Sequence, residues 1–312
     1  EDYIEKNLLN NPQKIHLVAR PEPGKFLEKD KVANEKLKEY KEGLKDIELE
    51  ALIENTKNLF EYQLKQDSKE DKDTIPKLEL EDISPGVKKL NTIIDENNSI
   101  KSIFVDEFTN KIFYMTLAFN LKNLTMEELP LAGVVLDLVS SLDTENYSYK
   151  DLSNKIDINT GGIKFSVNTF EDTKSDDYSV VASVSGRSIP DKIEEFLNLV
   201  EEIIFRTKFE DKKRIKDLLI VNRGDLESNI EQSGHSIIST EINSMMRDSS
   251  DIGNRIGGRK YLFSLKDLIS RFDEDSDEII NSLKDVYKKI FNKKVILSVA
   301  GEKDWFNKTK DW

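Results

Sequence analysis

Residues 127–142, EELPLAGVVLDLVSSL, form the most apolar run of the chain. Aliphatic residues occupy nearly the whole circumference of a helical projection, which predicts a helix buried on most sides. Thr125 and Glu128 have the spacing of a capping box, but Pro130 lacks a backbone donor, so we expect the helix to begin near Pro130. The run contains no histidine or cysteine, and Asp137 is its only carboxylate past the first turn. The sequence therefore predicts a helix that serves packing.

Strand-like and helix-like segments surround this helix. The segments SIFVDEF (102–108) and KIFYMTLAF (111–119) predict a hairpin around Thr109 and Asn110. Three more strands are predicted at TGGIKFSVNTF (160–170), DYSVVASVSG (177–186) and VILSVAG (295–301). Helical patterns fill 147–157, 189–205, 210–230 and most of 233–292. Together they predict an α+β fold, in which a mixed or antiparallel sheet carries helices on one face.

The first 75 residues have a different pattern. The run KIHLVARPEPG (14–24) predicts a strand stopped by prolines and glycine. Two charged amphipathic helices follow and should fold back near Gly43 as an antiparallel helical hairpin, after which 66–73 forms a charged linker. The predicted organisation is a terminal strand of a preceding domain (1–24), a helical hairpin (25–75) and an α/β domain (76–312).

Composition limits the classes of partner. The 312 residues are 37% apolar and 34% charged, enough for one large folded domain or two smaller ones. A net charge of -13 opposes nucleic acids and anionic membranes, and the most apolar segment is too short to span a bilayer. Without cysteine, a reducing compartment is favoured, and we expect a cytoplasmic protein. Because the chain begins at Glu1 without a methionine or a leader, we expect a processed product or part of a longer protein.

The residues for metal catalysis are missing from the sequence. A helical zinc site needs two histidines four residues apart with a glutamate between them, and the only histidines are His16 and His235. We therefore predict no catalytic residue, no metal ligand and no cofactor in this chain. His235 stands between Gly234 and Ser236, two ordinary helix-start residues, so a structural role is favoured for it.

Two other motifs are weak. Asp273, Asp275 and Asp277 have the first spacings of a calcium loop, but Glu278 and Lys284 replace the required glycine and glutamate, which favours a solvated acidic loop. The run GNRIGGRK (253–260) follows no predicted strand, so it indicates a tight connection between helices and not a phosphate site.

The ordered segments together resemble a known family. NNPQKIHLVARPEPG, the charged hairpin, DSKEDKDTIPKLELEDI, LPLAGVVLDLVSSL, TGGIKFSV, SGRSIPDKIEEFLNLVEEII, QSGHSIISTEI and GGRKYLFSL are similar, in this order, to the presequence protease branch of the insulinase and pitrilysin zinc metallopeptidases. The resemblance covers essentially the whole chain. It implies four homologous α/β domains in two halves, joined by a helical hairpin and closing around an unfolded peptide.

By this resemblance, the chain holds the last strand of the second domain, the hairpin and most of the third domain. Zinc is then expected in the first domain of the full-length parent, on a helix whose counterpart here is 127–142, with 131–135 at the place of the metal motif. Gly161, Gly162, Gly234, His235 and Ser236 become candidate chamber or structural positions. The implied partners are the missing domains of the same polypeptide and unstructured peptide substrates.

Two hypotheses of different classes follow. In the first, the chain is a non-catalytic segment of a zinc metalloendopeptidase that degrades unstructured peptides, and it supplies the hinge and part of the closed chamber. In the second, it is a stand-alone scaffold or interaction subunit related to such peptidases. The net acidity would suit basic peptides unless the other domains reverse it.

Overall fold

Helices supply the regular structure before residue 87, and the strands lie after it. The computed structural model describes residues 2–86, 89–96, 100–175, 177–291, 295–310 and 312. These residues belong to two compact units, Glu1–Gly86 and Val87–Trp312. A division at Gly86 separates the helical region from the α/β region, while the finer division at 24 and 75 stays a prediction.

The first unit contains two long helices, α2 and α3, and short turns. Its helices are α1 (Asp2–Ile4), α2 (Lys25–Gly43), α3 (Asp46–Leu64) and α4 (Lys69–Asp73), with a π-helical turn at Glu5–Leu9 and a 3-10 turn at Leu80–Asp82. Gly24 precedes α2 with a φ of 84°, a left-handed conformation that glycine adopts readily. The backbone N–H of Lys45 donates to the Glu48 carboxylate at 2.9 Å, which helps to begin α3.

Two predictions for this unit need correction. Both long helices form, yet neither buries a side chain, and Leu37 and Phe60 remain 63% and 60% exposed. In an antiparallel hairpin the apolar faces of α2 and α3 would pack against each other and be buried, whereas here they are exposed. The strand predicted within 14–24 is also absent, because a strand needs a neighbour for its ladder and 11–22 pair with no described strand. Its origin in a preceding domain stays a prediction.

The second unit is built on a six-stranded sheet. In chain order the strands are β1 (Thr92–Asp95), β2 (Lys101–Asp106), β3 (Phe113–Asn120), β4 (Ile163–Glu171), β5 (Tyr178–Ser188) and β6 (Val295–Gly301). Their order across the sheet is β1-β2-β6-β3-β5-β4. Only the β2–β6 pair is parallel among the described pairings, so the sheet is mixed, as predicted.

The predicted hairpin between 102–108 and 111–119 is wrong. Its turn forms, since the Ile112 N–H donates to Thr109 O at 3.1 Å and Asn110 and Lys111 have φ values of 52° and 60°. The two strands, however, do not pair, because β6 lies between β2 and β3 and hydrogen-bonds to both. An alternating strand from the far end of the chain outcompetes the local pairing that sequence proximity suggests.

Helices cover one face of this sheet and create the core. They are α5 (Leu129–Leu138), α6 (Tyr149–Asn159), α7 (Ile193–Arg206), α8 (Lys212–Gln232), α9 (Gly234–Met246), α10 (Asp248–Gly257), α11 (Arg259–Ile290) and α12 (Lys303–Lys310). A short 3-10 turn, Pro190–Lys192, leads into α7. Phe113, Met115, Leu117 and Phe119 alternate along β3 and are all buried in the core. The structure thus confirms the α+β fold with helices on one face.

The acidic run 273–278 is helical and not the loop that the sequence suggested, although the Asp273 and Asp277 side chains are solvated, with 78% and 83% of their surface exposed. It lies within α11, where Asp275 has non-helical angles (φ -112°, ψ 21°). Lys216 Nζ contacts Asp273 Oδ1 at 2.6 Å and Lys212 Nζ contacts Asp277 Oδ1 at 2.7 Å. Two lysines one turn apart on α8 thus pair with carboxylates of α11, which explains how a helix accommodates this charge. The connection at Gly257 and Gly258 between α10 and α11 is tight, as predicted.

Candidate functional site

The central helix α5 begins at Leu129, one residue before Pro130, as its sequence predicts. Helices α8, α10 and α11 and strand β4 all contact it. Ala132, Val134, Val135 and Leu138 have no exposed surface. The helix is therefore enclosed by protein on most sides.

Close packing of α5 depends on Gly133. A methyl group there would lie 2.8 Å from the backbone oxygen of Ile256 and 3.1 Å from the Tyr261 ring. One turn further along α5, Asp137 Oδ2 accepts a hydrogen bond from the Tyr261 hydroxyl at 2.7 Å. Partial desolvation raises the pKa of Asp137 despite this hydrogen bond, although the residue keeps an exposed surface, and burial beside the carboxylate raises the pKa of Tyr261. This pair ties α5 to α11.

The donors in this structure do not fit a zinc ion. Zinc in proteins is held by cysteine, histidine and carboxylate groups, whereas residues 131–135 of α5 carry leucine, alanine, glycine and valine. His16 and His235 are both exposed and belong to different compact units. Within the described ranges, no group of three His, Cys, Asp or Glu side chains is arranged to hold a metal.

The predicted positions Gly161 and Gly162 form the turn between α6 and β4. Gly161 N–H donates to Arg187 O at 2.7 Å, and Arg187 Nε donates back to Gly161 O at 3.2 Å. A methyl group at Gly161 would lie 2.6 Å from Arg187 Cγ, so the arginine side chain rests directly on the glycine backbone. Gly162 has a φ of 102°, which favours glycine strongly.

The predicted positions Gly234, His235 and Ser236 open α9 and do not belong to this turn. All three are exposed, and nothing lies within 4 Å of a methyl group placed on Gly234. The backbone oxygens of His235 and Ser236 accept hydrogen bonds from Ser239 and Thr240 at 3.0 Å. These contacts are local helix contacts, and the candidate role of the three residues stays a prediction.

A cavity of about 220 Å³ lies at the Gly161 turn, where β5 ends and α7 approaches. Arg187 and Lys192 supply two cationic groups, and Lys192 Nζ donates to Asn159 Oδ1 at 2.9 Å. Ser188 also lines the cavity; it is 4% exposed, and its hydroxyl has no hydrogen-bond partner among the described residues. The remaining lining residues are Ile112, Ile158, Asn159, Thr160, Gly161 and Ile189.

No carboxylate lines this cavity, although the chain has 60 acidic residues and a net charge of -13. Neither Arg187 nor Lys192 forms an ion pair with any residue that the structure describes. We call the cavity and these two side chains the cationic cavity. It is suited to a small anionic group, because charge-assisted hydrogen bonds to arginine and lysine are strong when the ligand is partly desolvated.

Sequence reasoning found Gly161 but missed Arg187, Ser188 and Lys192. The available signal was the motif SGRSIPDK (185–192), in which two basic residues flank the end of a strand in an acidic chain. Their approach to Gly161 depends on the pairing of β4 with β5, in which Ile163 lies opposite Gly186. That register is set by the tertiary structure, so the spacing of these residues along the chain could not predict that they meet.

In the part of the chain that the structure describes, no helix is both long and apolar enough to cross a lipid bilayer.

Comparisons with known proteins identify a family and several relatives of this chain. Residues 20–268 match the family described as peptidase M-16C associated. The chain is 33% identical over 313 residues to "Protein HypA" of Clostridium perfringens, an alignment that covers 100% of this chain and 32% of that protein.

Two presequence proteases are more distant relatives. Presequence protease 1, chloroplastic/mitochondrial, of Arabidopsis thaliana is 26% identical over 92% of this chain and 27% of its own length. The mitochondrial presequence protease of Drosophila melanogaster is 25% identical over 94% of this chain and 28% of its own length. The chain spans about a third or less of the length of these relatives. Because the family match covers most of the sequence, this chain belongs to the peptidase M-16C associated family.

Proposed function

We propose that this chain is a non-catalytic segment of a zinc metalloendopeptidase that degrades unstructured peptides. In this proposal the second unit forms part of the wall of a closed substrate chamber, and α2 and α3 form the hinge. The other domains of the same polypeptide supply the zinc site and the catalytic residues. The proposal agrees with the family and with the presequence proteases among the relatives.

The observation that best supports a wall is the face of the sheet opposite the helices, which we call the open face. Thr116 of β3 lies opposite Ser185 of β5 and Ser298 of β6, and its hydroxyl is 3.1 Å from the Ser185 hydroxyl. On the same face, Asn168 Nδ2 is 3.2 Å from the Ser183 hydroxyl. Hydroxyl and amide groups can bond to a peptide backbone without selecting one sequence, which suits a chamber for varied peptides.

The charge of this face differs from that of the whole chain. Following the registers, the open face includes Lys101, Lys164 and Arg187, and no strand residue on it is acidic among those described. Lys101 pairs with Glu96 at 2.6 Å. The expectation that net acidity would suit basic peptides therefore finds no support on this surface.

The isolated chain provides a first test. Purified by itself, it should bind no stoichiometric zinc and show no chelator-sensitive peptide cleavage, because residues 131–135 of α5 offer no metal donor. Metal analysis by mass spectrometry and a quenched fluorescent peptide assay would measure both. Metal-dependent turnover by the chain alone would contradict the proposal.

A second test places a large side chain on the wall. In the product of the whole reading frame that encodes this chain, Ser185→Trp should raise KM for a long unstructured peptide and leave kcat nearly unchanged. Asn281→Trp is the matched control, since Asn281 is exposed on α11. Equal effects of the two variants would contradict a wall at the open face.

The alternative, a stand-alone scaffold or interaction subunit, predicts a different gene product. If the reading frame carries no domain with two histidines four residues apart, and its product shows no peptidase activity, the scaffold hypothesis is favoured.

A further inference from the structure

We infer that the cationic cavity binds the C-terminal carboxylate of a peptide whose last residue is aliphatic. This inference rests on the proposed function for its biological setting, since it names what one part of the chamber wall would hold. It rests on the cavity itself for its chemistry.

The carboxylate is indicated by two separate features. Arg187 is anchored through Nε to Gly161 O at 3.2 Å, and its terminal nitrogens have no partner among the described residues. Lys192 supplies a second cation at the same cavity, held at 2.9 Å by the amide oxygen of Asn159.

The aliphatic residue is indicated by the rest of the lining. Ile158 and Ile189 are 74% and 55% exposed at this cavity, and Ile112 lines it as well. An apolar side chain beside the carboxylate would cover these isoleucines and remove apolar surface from water. A volume of about 220 Å³ suits one terminal residue and not a longer segment.

Polyanions are less suitable ligands. A chain of net charge -13 repels a nucleic acid or an anionic membrane at long range, whereas a single carboxylate is repelled far less. An acidic side chain within a peptide carries the same group, so the test must separate the two sources of carboxylate.

Glycine-selective ¹⁵N labelling of the whole chain gives a simple readout, because there are 13 glycines and Gly161 and Gly162 adjoin the cavity. The probes are N-acetyl-leucine, its C-terminal amide, and N-acetyl-glutamate α-amide, which has only a side-chain carboxylate. We expect N-acetyl-leucine to shift the Gly161 and Gly162 signals in a saturable way and to leave Gly234 unchanged. The amide should bind at least tenfold more weakly, given the usual strength of hydrogen bonds to charged groups.

Substitutions of Arg187 and Lys192 test whether these two side chains bind the carboxylate. Arg187→Gln with Lys192→Gln should weaken the binding of N-acetyl-leucine by roughly tenfold or more. Lys122→Gln with Lys213→Gln changes the net charge equally at two exposed positions and should leave binding unchanged. Unshifted signals of the other glycines would show that each variant is folded.

The inference is overturned by no saturable shift with N-acetyl-leucine, by equal binding of the acid and its amide, or by unchanged binding to the Arg187 and Lys192 variant. Tighter binding of the glutamate probe would assign the cavity to acidic side chains and would also overturn it. Failure of the proposed function would appear differently, as an absence of peptidase activity in the product of the whole reading frame while N-acetyl-leucine still binds.

Discussion

At the scale of single residues, substitution of glycine by alanine should change the free energy of unfolding in opposite directions at two positions. Gly162 has a φ of 102°, so Gly162→Ala should destabilise the chain by about 1–3 kcal/mol. Gly224 lies inside α8 with nothing within 4 Å of an added methyl group, so Gly224→Ala should stabilise it by about 0.5–1 kcal/mol. Urea unfolding followed by circular dichroism measures both. Equal midpoints for the two variants would contradict the assigned backbone conformation of Gly162.

A buried carboxylate predicts a dependence of stability on pH. Glu202 is 3% exposed and accepts from Asn146 N–H at 2.9 Å, Asn146 Nδ2 at 2.8 Å and Arg206 Nη1 at 3.0 Å. Burial would raise its pKa, but the hydrogen bonds from Thr144, Asn146 and Arg206 outweigh burial and hold the pKa below its ordinary value.

Because the pKa of Glu202 is lower in the folded state, its contribution is complete above the unfolded pKa of about 4.3 and disappears as pH falls through the folded pKa. Glu202→Gln should cost about 1–3 kcal/mol at pH 7. The difference in urea midpoint between wild type and variant should shrink below about pH 4. A difference that stays constant from about pH 7 to about pH 3 would exclude this role.

At the scale of secondary structure elements, the contact between α5 and α10 is limited by Gly133. Gly133→Ala improves helix propensity, yet its methyl group would meet the Ile256 backbone oxygen at 2.8 Å, which can move only with α10. We expect a net destabilisation of about 1–3 kcal/mol, typical of overpacking. Gly224→Ala is again the control, since it makes the same change without this contact. A stabilised Gly133→Ala variant would show that the two helices are not this close.

At the scale of the whole molecule, the first unit leaves large apolar side chains in water. Leu52 and Phe60 of α3 are 51% and 60% exposed. Exposed apolar patches promote association, so we expect the purified chain to gain apparent mass with concentration in light scattering. Leu52→Gln with Phe60→Gln should reduce this association.

The matched control for that measurement is Lys57→Gln with Glu61→Gln, which alters two exposed polar positions of the same helix. It should leave the concentration dependence as in the wild type. A wild-type chain that stays monomeric at all concentrations would contradict association through the apolar side chains of α3.

Most helices and strands of the second unit can be predicted from the sequence alone. The continuous apolar run of α5 could only be stable inside a core, and the structure encloses it between helices and the sheet. Alternation predicted β3, β4, β5 and β6, because residues two apart share one face of a strand. Two distant histidines and no cysteine already excluded a helical zinc motif.

How these elements meet depends on contacts between distant parts of the chain. β6 separates β2 from β3, an arrangement that depends on relative burial and on the free energy of long-range pairing and that leaves no local trace in the sequence. The cationic cavity has the same origin, since Gly161 meets Arg187 through the pairing of β4 with β5. Secondary structure follows from periodicities of two and 3.6 residues, whereas a site follows from contacts between residues that are far apart in the chain.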